Sequence, residues 1–124
     1  MDLAPRRLAD TVVLRPAGRI NHVSSDSFKN ALDPFLAQCT EGGDRIVLDL
    51  STLEYISSAG MRVLVLARKQ ARAQGGTLVV ADLAPLVKEI FEISRFTVVF
   101  EVFPSVRDAL ASISPAALAA LESA

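Results

Sequence analysis

Apolar residues gather in short runs along this chain, and the spacing within and between those runs sets out an order of elements. Thr11 to Leu14 is β-branched or apolar and leads through Pro16, Ala17 and Gly18 into a turn, which predicts an early strand. Ser24, Ser25 and Asp26 can cap a helix, after which Phe28, Leu32, Phe35, Leu36 and Cys39 recur on one helical face. Pro34 lies inside that helix and removes a backbone donor, so a kink or a later helix start is expected there. Arg45 to Leu50 reads as a buried strand, since Ile46, Val47 and Leu48 run together without the alternation of a half-exposed one. A helix from Ser58 to about Gln74 follows, stopped by Gly75 and Gly76, and Leu78 to Ala81 is a second continuous apolar run. Pro85 to Ile93 reads as a third helix and Val98 to Phe103 as a last strand. Ser105 then caps a helix to Ile113 that turns Val106, Leu110 and Ile113 inward. The tail after Pro115, AALAALESA, is helix-prone but short, so it either docks as a last turn or frays.

Strands separated by helical segments predict an α/β fold, with a mixed, largely parallel central sheet and helices packed on it. The length, 124 residues, suits a single domain over 1–124, with 113–124 as a C-terminal tail that can form a short helix. At 51% hydrophobic and 22% charged residues there is enough apolar material for a core, which argues against a disordered chain. Thirteen basic residues against 14 acidic ones leave a formal charge of -1, so no global field draws the protein to nucleic acid or to an anionic membrane. The densest apolar stretch, Met61 to Ala67, is interrupted by Arg62 and falls well short of the roughly 20 residues of a membrane-spanning helix. The start of the chain lacks the apolar core of a signal peptide and Cys39 has no internal partner, so the expected compartment is the cytoplasm.

The informative stretch runs from Asp49 to Ala71, DLSTLEYISSAGMRVLVLARKQA, where a buried strand leads through a short loop to a serine-capped helix. At about 100° per residue, Gly60, Val63, Leu64, Ala67 and Ala71 share one face, which is assigned to the core. Ser58, Met61, Arg62, Val65, Lys69 and Arg72 share another, so a serine at the helix start is followed by apolar and basic residues suited to docking a partner. A phosphate on Ser58 would bring a charge of about -1.5 to -2, which a helix N-terminus tolerates and Arg62, one turn on, can pair. The plainer alternative stands beside this one: a serine ahead of a helix is an ordinary cap, Met61 and Val65 can pack on the protein's own neighbouring helix, and basic residues on a helix are often simply solvated.

The same stretch resembles the STAS domain family of anti-anti-sigma factors, also called anti-sigma factor antagonists. The signature of that family is a strand ending Asp-x-Ser, then an apolar-Asp-Ser-Ser/Thr-Gly-Leu run that opens a helix. Here the residues are Asp49-Leu50-Ser51, then Ile56-Ser57-Ser58-Ala59-Gly60-Met61; Gly18-Arg19-Ile20-Asn21 is similar to the family's Gly-x-Leu-Asp, and Phe96 to Leu110 to its closing strand and helix. Ser57 and Asn21 stand where the family usually has aspartate, and Ala59 where it has a second serine or threonine. The resemblance implies a cytoplasmic regulator of transcription that binds a cognate anti-sigma factor, itself a serine kinase, and is switched off when that kinase phosphorylates it. By position the phosphorylated residue is Ser58, with Ser57 the lesser candidate, and the implied partner-binding residues are Asn21, Ser57, Ser58, Met61, Arg62, Val65 and Lys69.

The chemistry of the remaining residues points away from catalysis. His22 and Cys39 fall in no nucleophile or metal-ligand motif, and the glycines follow neither Walker nor Rossmann spacing. His22 is expected in a surface turn and Cys39 in the core. The expectation is therefore a protein that is not an enzyme, has no catalytic residues, metal or cofactor, and contacts neither nucleic acid nor the interior of a membrane. The alternative role is a STAS-type scaffold, either a subunit of a membrane lipid-transport ABC complex or a piece of a stress-signalling assembly, that works without phosphorylation.

Overall fold

The computed structural model describes residues 1–123. In chain order the elements are β1 (Arg6–Leu8), β2 (Thr11–Leu14), β3 (Gly18–Ile20), α1 (Ser25–Ala37), β4 (Arg45–Asp49), β5 (Leu53–Ile56), α2 (Ser58–Ala73), β6 (Leu78–Ala81), α3 (Pro85–Ile93), α4 (Phe96–Val99), β7 (Val102–Phe103), α5 (Val106–Ile113) and α6 (Pro115–Glu122). The main sheet runs β1-β2-β4-β6-β7, antiparallel only between β1 and β2. The α/β expectation with a mixed, largely parallel sheet holds. A second, two-stranded parallel pair, β3 with β5, stands apart from it.

The unbroken apolar runs follow from helices covering both faces of the main sheet. Val12, Leu14, Ile46, Leu48, Leu78 and Val80 point to one face, where Phe28, Leu32, Leu64 and Phe91 from α1, α2 and α3 fill the larger core. The alternate residues Val13, Val47, Val79 and Ala81 point to the other, beneath Ala109 and Leu110 of α5 and Ala117 of α6. Each fully buried leucine or phenylalanine contributes roughly 1.5–3 kcal/mol relative to an exposed one. Cys39 is buried as expected, its thiol donating to the Thr77 carbonyl, and His22 is exposed in the turn ahead of α1.

The last expected strand is corrected. Residues 98–103 do not extend as one strand: Arg95 takes a left-handed φ of 58° and α4 begins immediately after it. Phe96 and Phe100 lie four residues apart, and a helical turn brings both rings onto Phe91, with centroids about 6 Å apart. Only Val102 and Phe103 remain to pair with Val80 and Ala81. The expected effect of Pro34 is also smaller than the residue type suggests, because α1 is continuous from Ser25 through it. Pro34 and Asn30 are both exposed, so water can satisfy the carbonyl that the ring deprives of a donor. Gly75, at φ 75°, closes α2 as the glycine pair predicts: the Gly75 and Gly76 amides donate back to the Arg72 and Ala71 carbonyls at 3.0 and 2.8 Å.

The tail docks rather than frays, and a polar knot holds it. Ser114, 1% exposed, caps α6 by accepting from the Ala117 amide and donates its hydroxyl to Asp10, which also pairs with Arg45 and accepts from Thr11. The Ser114 hydrogen bond, followed by those from Thr11 and the charge of Arg45, holds the Asp10 carboxyl below the ordinary carboxylate range against the opposing effect of its partial burial. Ser114→Ala is expected to cost about 1–2 kcal/mol, from one lost cap and one lost charge-assisted bond. A folded-state pKa below the unfolded one stabilises at pH above about 4, and that contribution disappears as pH falls through the folded value. Thermal midpoints measured from pH 6 down to pH 3 should therefore fall more steeply for wild type than for Ser114→Ala; parallel curves would remove Asp10 from the acid response.

Candidate functional site

Two strand ends and one helix start meet at the candidate site. β3 and β5 run parallel with Ile20 beside Ile56, and the Ser57 amide donates to the Ile20 carbonyl at 2.8 Å. Asn21 and Ser57 thus leave adjacent strands on the same edge. Upstream, Asp49 Oδ1 accepts from the Ser51 amide at 3.0 Å, a tight side-chain turn that carries the chain from β4 into β5 and gives the Asp-x-Ser spacing a physical reason. Ser57, in extended conformation, caps α2: its hydroxyl accepts from the Gly60 amide at 3.2 Å. Replacing Ser57 by alanine should lower stability by about 1 kcal/mol while aspartate preserves it. Equal thermal midpoints for all three would show that the cap contributes nothing.

Ser58 is the first residue of α2, is exposed, and its hydroxyl makes no hydrogen bond among the described residues. The adjacent serines therefore divide the work, one hydroxyl spent on the helix and the other facing solvent. Arg62 and Lys69 continue the exposed side, with Arg72 beyond, and α2 contains no acidic residue. Met61 is corrected: it is 4% exposed and belongs to the core, so it does not present a side chain on an open docking face. Val65 is half-buried against the same core. The apolar part of the expected surface is covered by the protein itself: α2 contacts α1, β5 and β6, Met61 joins the larger core and Val65 packs against it, so the buried arc is wider than the face assigned from periodicity. Asn21 is exposed, but its side chain is engaged: Oδ1 accepts from the Ser24 amide at 2.9 Å while Ser24 Oγ accepts from the Asn21 amide at 2.9 Å. This reciprocal pair opens the turn into α1, whose formal N-cap Ser24 makes no side-chain cap bond to the helix.

Several residues around Ser58 escaped the sequence reading. A surface hollow of about 330 Å³ lies against Ser58 and is lined by Tyr55 and Met61 on one side and Ile90, Ser94 and Phe96 on the other. Ile93, the last residue of α3 and the chain neighbour of Ser94, is 83% exposed, and Val23, in the turn after β3, is 86% exposed. Arg19 lies over the Tyr55 ring, 4.6 Å from its centroid. Ile93 carries a signal that could have been found, since it lies off the face that Val87 and Phe91 turn to the core. The contribution of α3 to the Ser58 rim carries none, because it depends on α3 packing on β5.

A model of the STAS domain matches residues 3–109. The chain belongs to the STAS domain family. This STAS domain is 44% identical over 101 residues to BtrV of Bordetella bronchiseptica, a protein that carries the name anti-sigma factor antagonist; the match spans 82% of this chain and 84% of the relative. The crystal structure of a Thermotoga maritima protein, also named as an anti-sigma factor antagonist, superposes with a TM-score of 0.79 at 22% identity, over 90% of this STAS domain and 93% of that chain. The phosphorylated form of the Bacillus cell fate determinant SpoIIAA superposes at 0.63 with 15% identity, over 88% and 96%. These two likenesses establish the fold. No helix among the described residues is long and apolar enough to cross a membrane.

Proposed function

We propose that this STAS domain is an anti-sigma factor antagonist that captures an anti-sigma factor kinase through the rim around Ser58 and is released when that kinase phosphorylates Ser58. The observation that carries the reading is the division of labour between adjacent serines: Ser57 is bound to the Gly60 amide, and Ser58 stands exposed at the first position of α2. A kinase can reach the Ser58 hydroxyl without dismantling the cap. The relationship to BtrV, and a solved relative in a phosphorylated form, support both the class of partner and the class of switch.

Phosphorylation would act on the surface and leave the fold in place. Free N–H groups and the dipole at the start of α2 favour an anion there, and Arg62 can pair with it. A partner seated on the rim would meet about two added negative charges and lose contact with the uncharged hydroxyl. Val23, Ile93 and the hollow beside Ser58 offer that partner apolar contacts in place of the buried Met61. Arg62 and Lys69 offer it two cations that no carboxylate among the described residues pairs.

The deciding experiment mixes the protein with the anti-sigma factor kinase of its own organism and ATP, then locates the modification by mass spectrometry. A single phosphate on Ser58, with loss of the complex on size exclusion, is the expected result. Phosphate confined to Ser57, or none on either serine while the complex persists, would end the switch and favour the scaffold role.

A further inference from the structure

On the sheet face opposite α2, a hollow of about 260 Å³ lies between the ends of β2 and β4, the start of α5 and the C-terminal turn of α6. Its apolar walls are Leu8 and Val13 of the sheet, Val106 of α5 and Leu121 of α6, and its polar rim is Arg6, Arg15 and Asp49. The strand geometry explains this arrangement. Arg6 lies directly opposite Val13 across the antiparallel β1–β2 pair, and Arg15, two residues beyond Val13, projects to the same face. The two arginines are thus diagonal cross-strand neighbours, about 7–8 Å apart, where like charges repel. Arg7, Arg45 and Arg107 each have a carboxylate partner, whereas Arg6 and Arg15 form no ion pair among the described residues.

The third rim charge limits what can enter. Leu14 lies beside Leu48 in the parallel β2–β4 pair, which places Asp49 next to Arg15 one strand over. Asp49 Oδ1 is held by the Ser51 amide, and Asp49 forms no ion pair with Arg15. Two guanidiniums and one carboxylate leave the rim with one net positive charge, which matches a monoanion and disfavours a polyphosphate. The volume lies just under the roughly 300 Å³ at which small-ligand pockets begin, too small for a nucleotide. The location also fits, since open α/β sheets bind ligands at the carboxyl ends of their parallel strands.

We propose that this hollow binds a short- to medium-chain aliphatic carboxylate, its carboxylate between Arg6 and Arg15 and its chain along Leu8, Val13 and Leu121. Because Leu121 belongs to α6, the ligand would tighten the docking of the C-terminal helix. The site is independent of the partner rim on the other face of the sheet, so its failure would leave the antagonist reading intact.

The test is an NMR titration of the full chain with sodium octanoate below its micelle concentration, with octanol and sodium acetate as controls. Octanoate should give saturable amide shifts in residues 6–8, 13–15, 106 and 121, at least tenfold tighter than either control. Arg15→Gln and Arg6→Gln change exposed side chains, should fold with unaltered midpoints, and should each weaken octanoate binding at least tenfold. Octanol matching octanoate would reduce the site to unspecific apolar uptake, and acetate matching it would reduce it to surface ion pairing. Shifts that cluster on α2, or arginine variants that bind like wild type, would overturn the proposal; if a variant fails to fold, the wild-type shift map and the two controls decide.

Discussion

Ser58→Asp is expected to weaken capture of the anti-sigma factor at least about tenfold, a loss of about 1.4 kcal/mol of binding free energy, with a thermal midpoint within a degree or two of wild type. The binding loss follows from exposure: the new carboxylate stands on the rim proposed to seat the partner, and it is negative where the hydroxyl was neutral. The stability follows from position, because an acidic side chain in the first turn of α2 meets the positive end of the helix dipole and leaves the Ser57 cap in place. Ser58→Ala is the companion variant, retaining affinity and refusing phosphate. Calorimetric titration and thermal denaturation of the three proteins check both halves. Aspartate binding as tightly as serine would place the partner elsewhere, and a large drop in midpoint would mean that Ser58 serves the fold.

Gly60→Ala is expected to destabilise the protein in spite of the higher helix propensity of alanine. A methyl group on Gly60 would lie 2.7 Å from Ile20 Cγ2 and 2.7 Å from Ile56 Cγ1. Both isoleucines are fully buried where β3 meets β5, and their β-branched carbons stay close to the backbone and cannot swing aside. Overpacking of this kind costs about 1–3 kcal/mol, against about 1 kcal/mol gained from replacing a helical glycine. The difference is a net loss of up to about 2 kcal/mol, centred on about 1 kcal/mol, which lowers the midpoint by a few degrees. Relief of the clash would also push the start of α2 away from β5, so the proposed phosphorylation of Ser58 should slow as well. A variant with a raised midpoint and a wild-type phosphorylation rate would show that the helix approaches the strands less closely than this.

The glycine illustrates which parts of the site can be read along the chain and which cannot. The motif from Ile56 to Met61 is visible as a string of letters, and helical spacing places Ser58 at the open end of α2. That spacing does not reveal why glycine sits at position 60, because the reason is two isoleucines from different strands, 40 and 4 residues earlier in the chain. The burial of Met61 has a similar origin. A period of about 3.6 residues assigns faces relative to one core direction, whereas α2 packs on α1, β5 and β6 together, so a residue expected on the open side is covered.

The chain by itself determined the alternation of strands and helices, the two-sided burial announced by its unbroken apolar runs, the stop of α2 at Gly75, and the serine at the start of that helix. Each is a local property, set by side-chain spacing, capping chemistry or backbone freedom within a few residues. Only the tertiary structure decided that β3 and β5 form a separate pair, that Phe96 and Phe100 fold onto Phe91 as a helical turn where a strand was expected, and that Ile90, Ser94 and Phe96 share a rim with Ser58. The β3–β5 pair and the rim around Ser58 rest on contacts between residues far apart in the chain, whereas the three phenylalanines are near neighbours whose rings choose the helical turn by packing on one another. In each case the energy appears only once the side chains have packed.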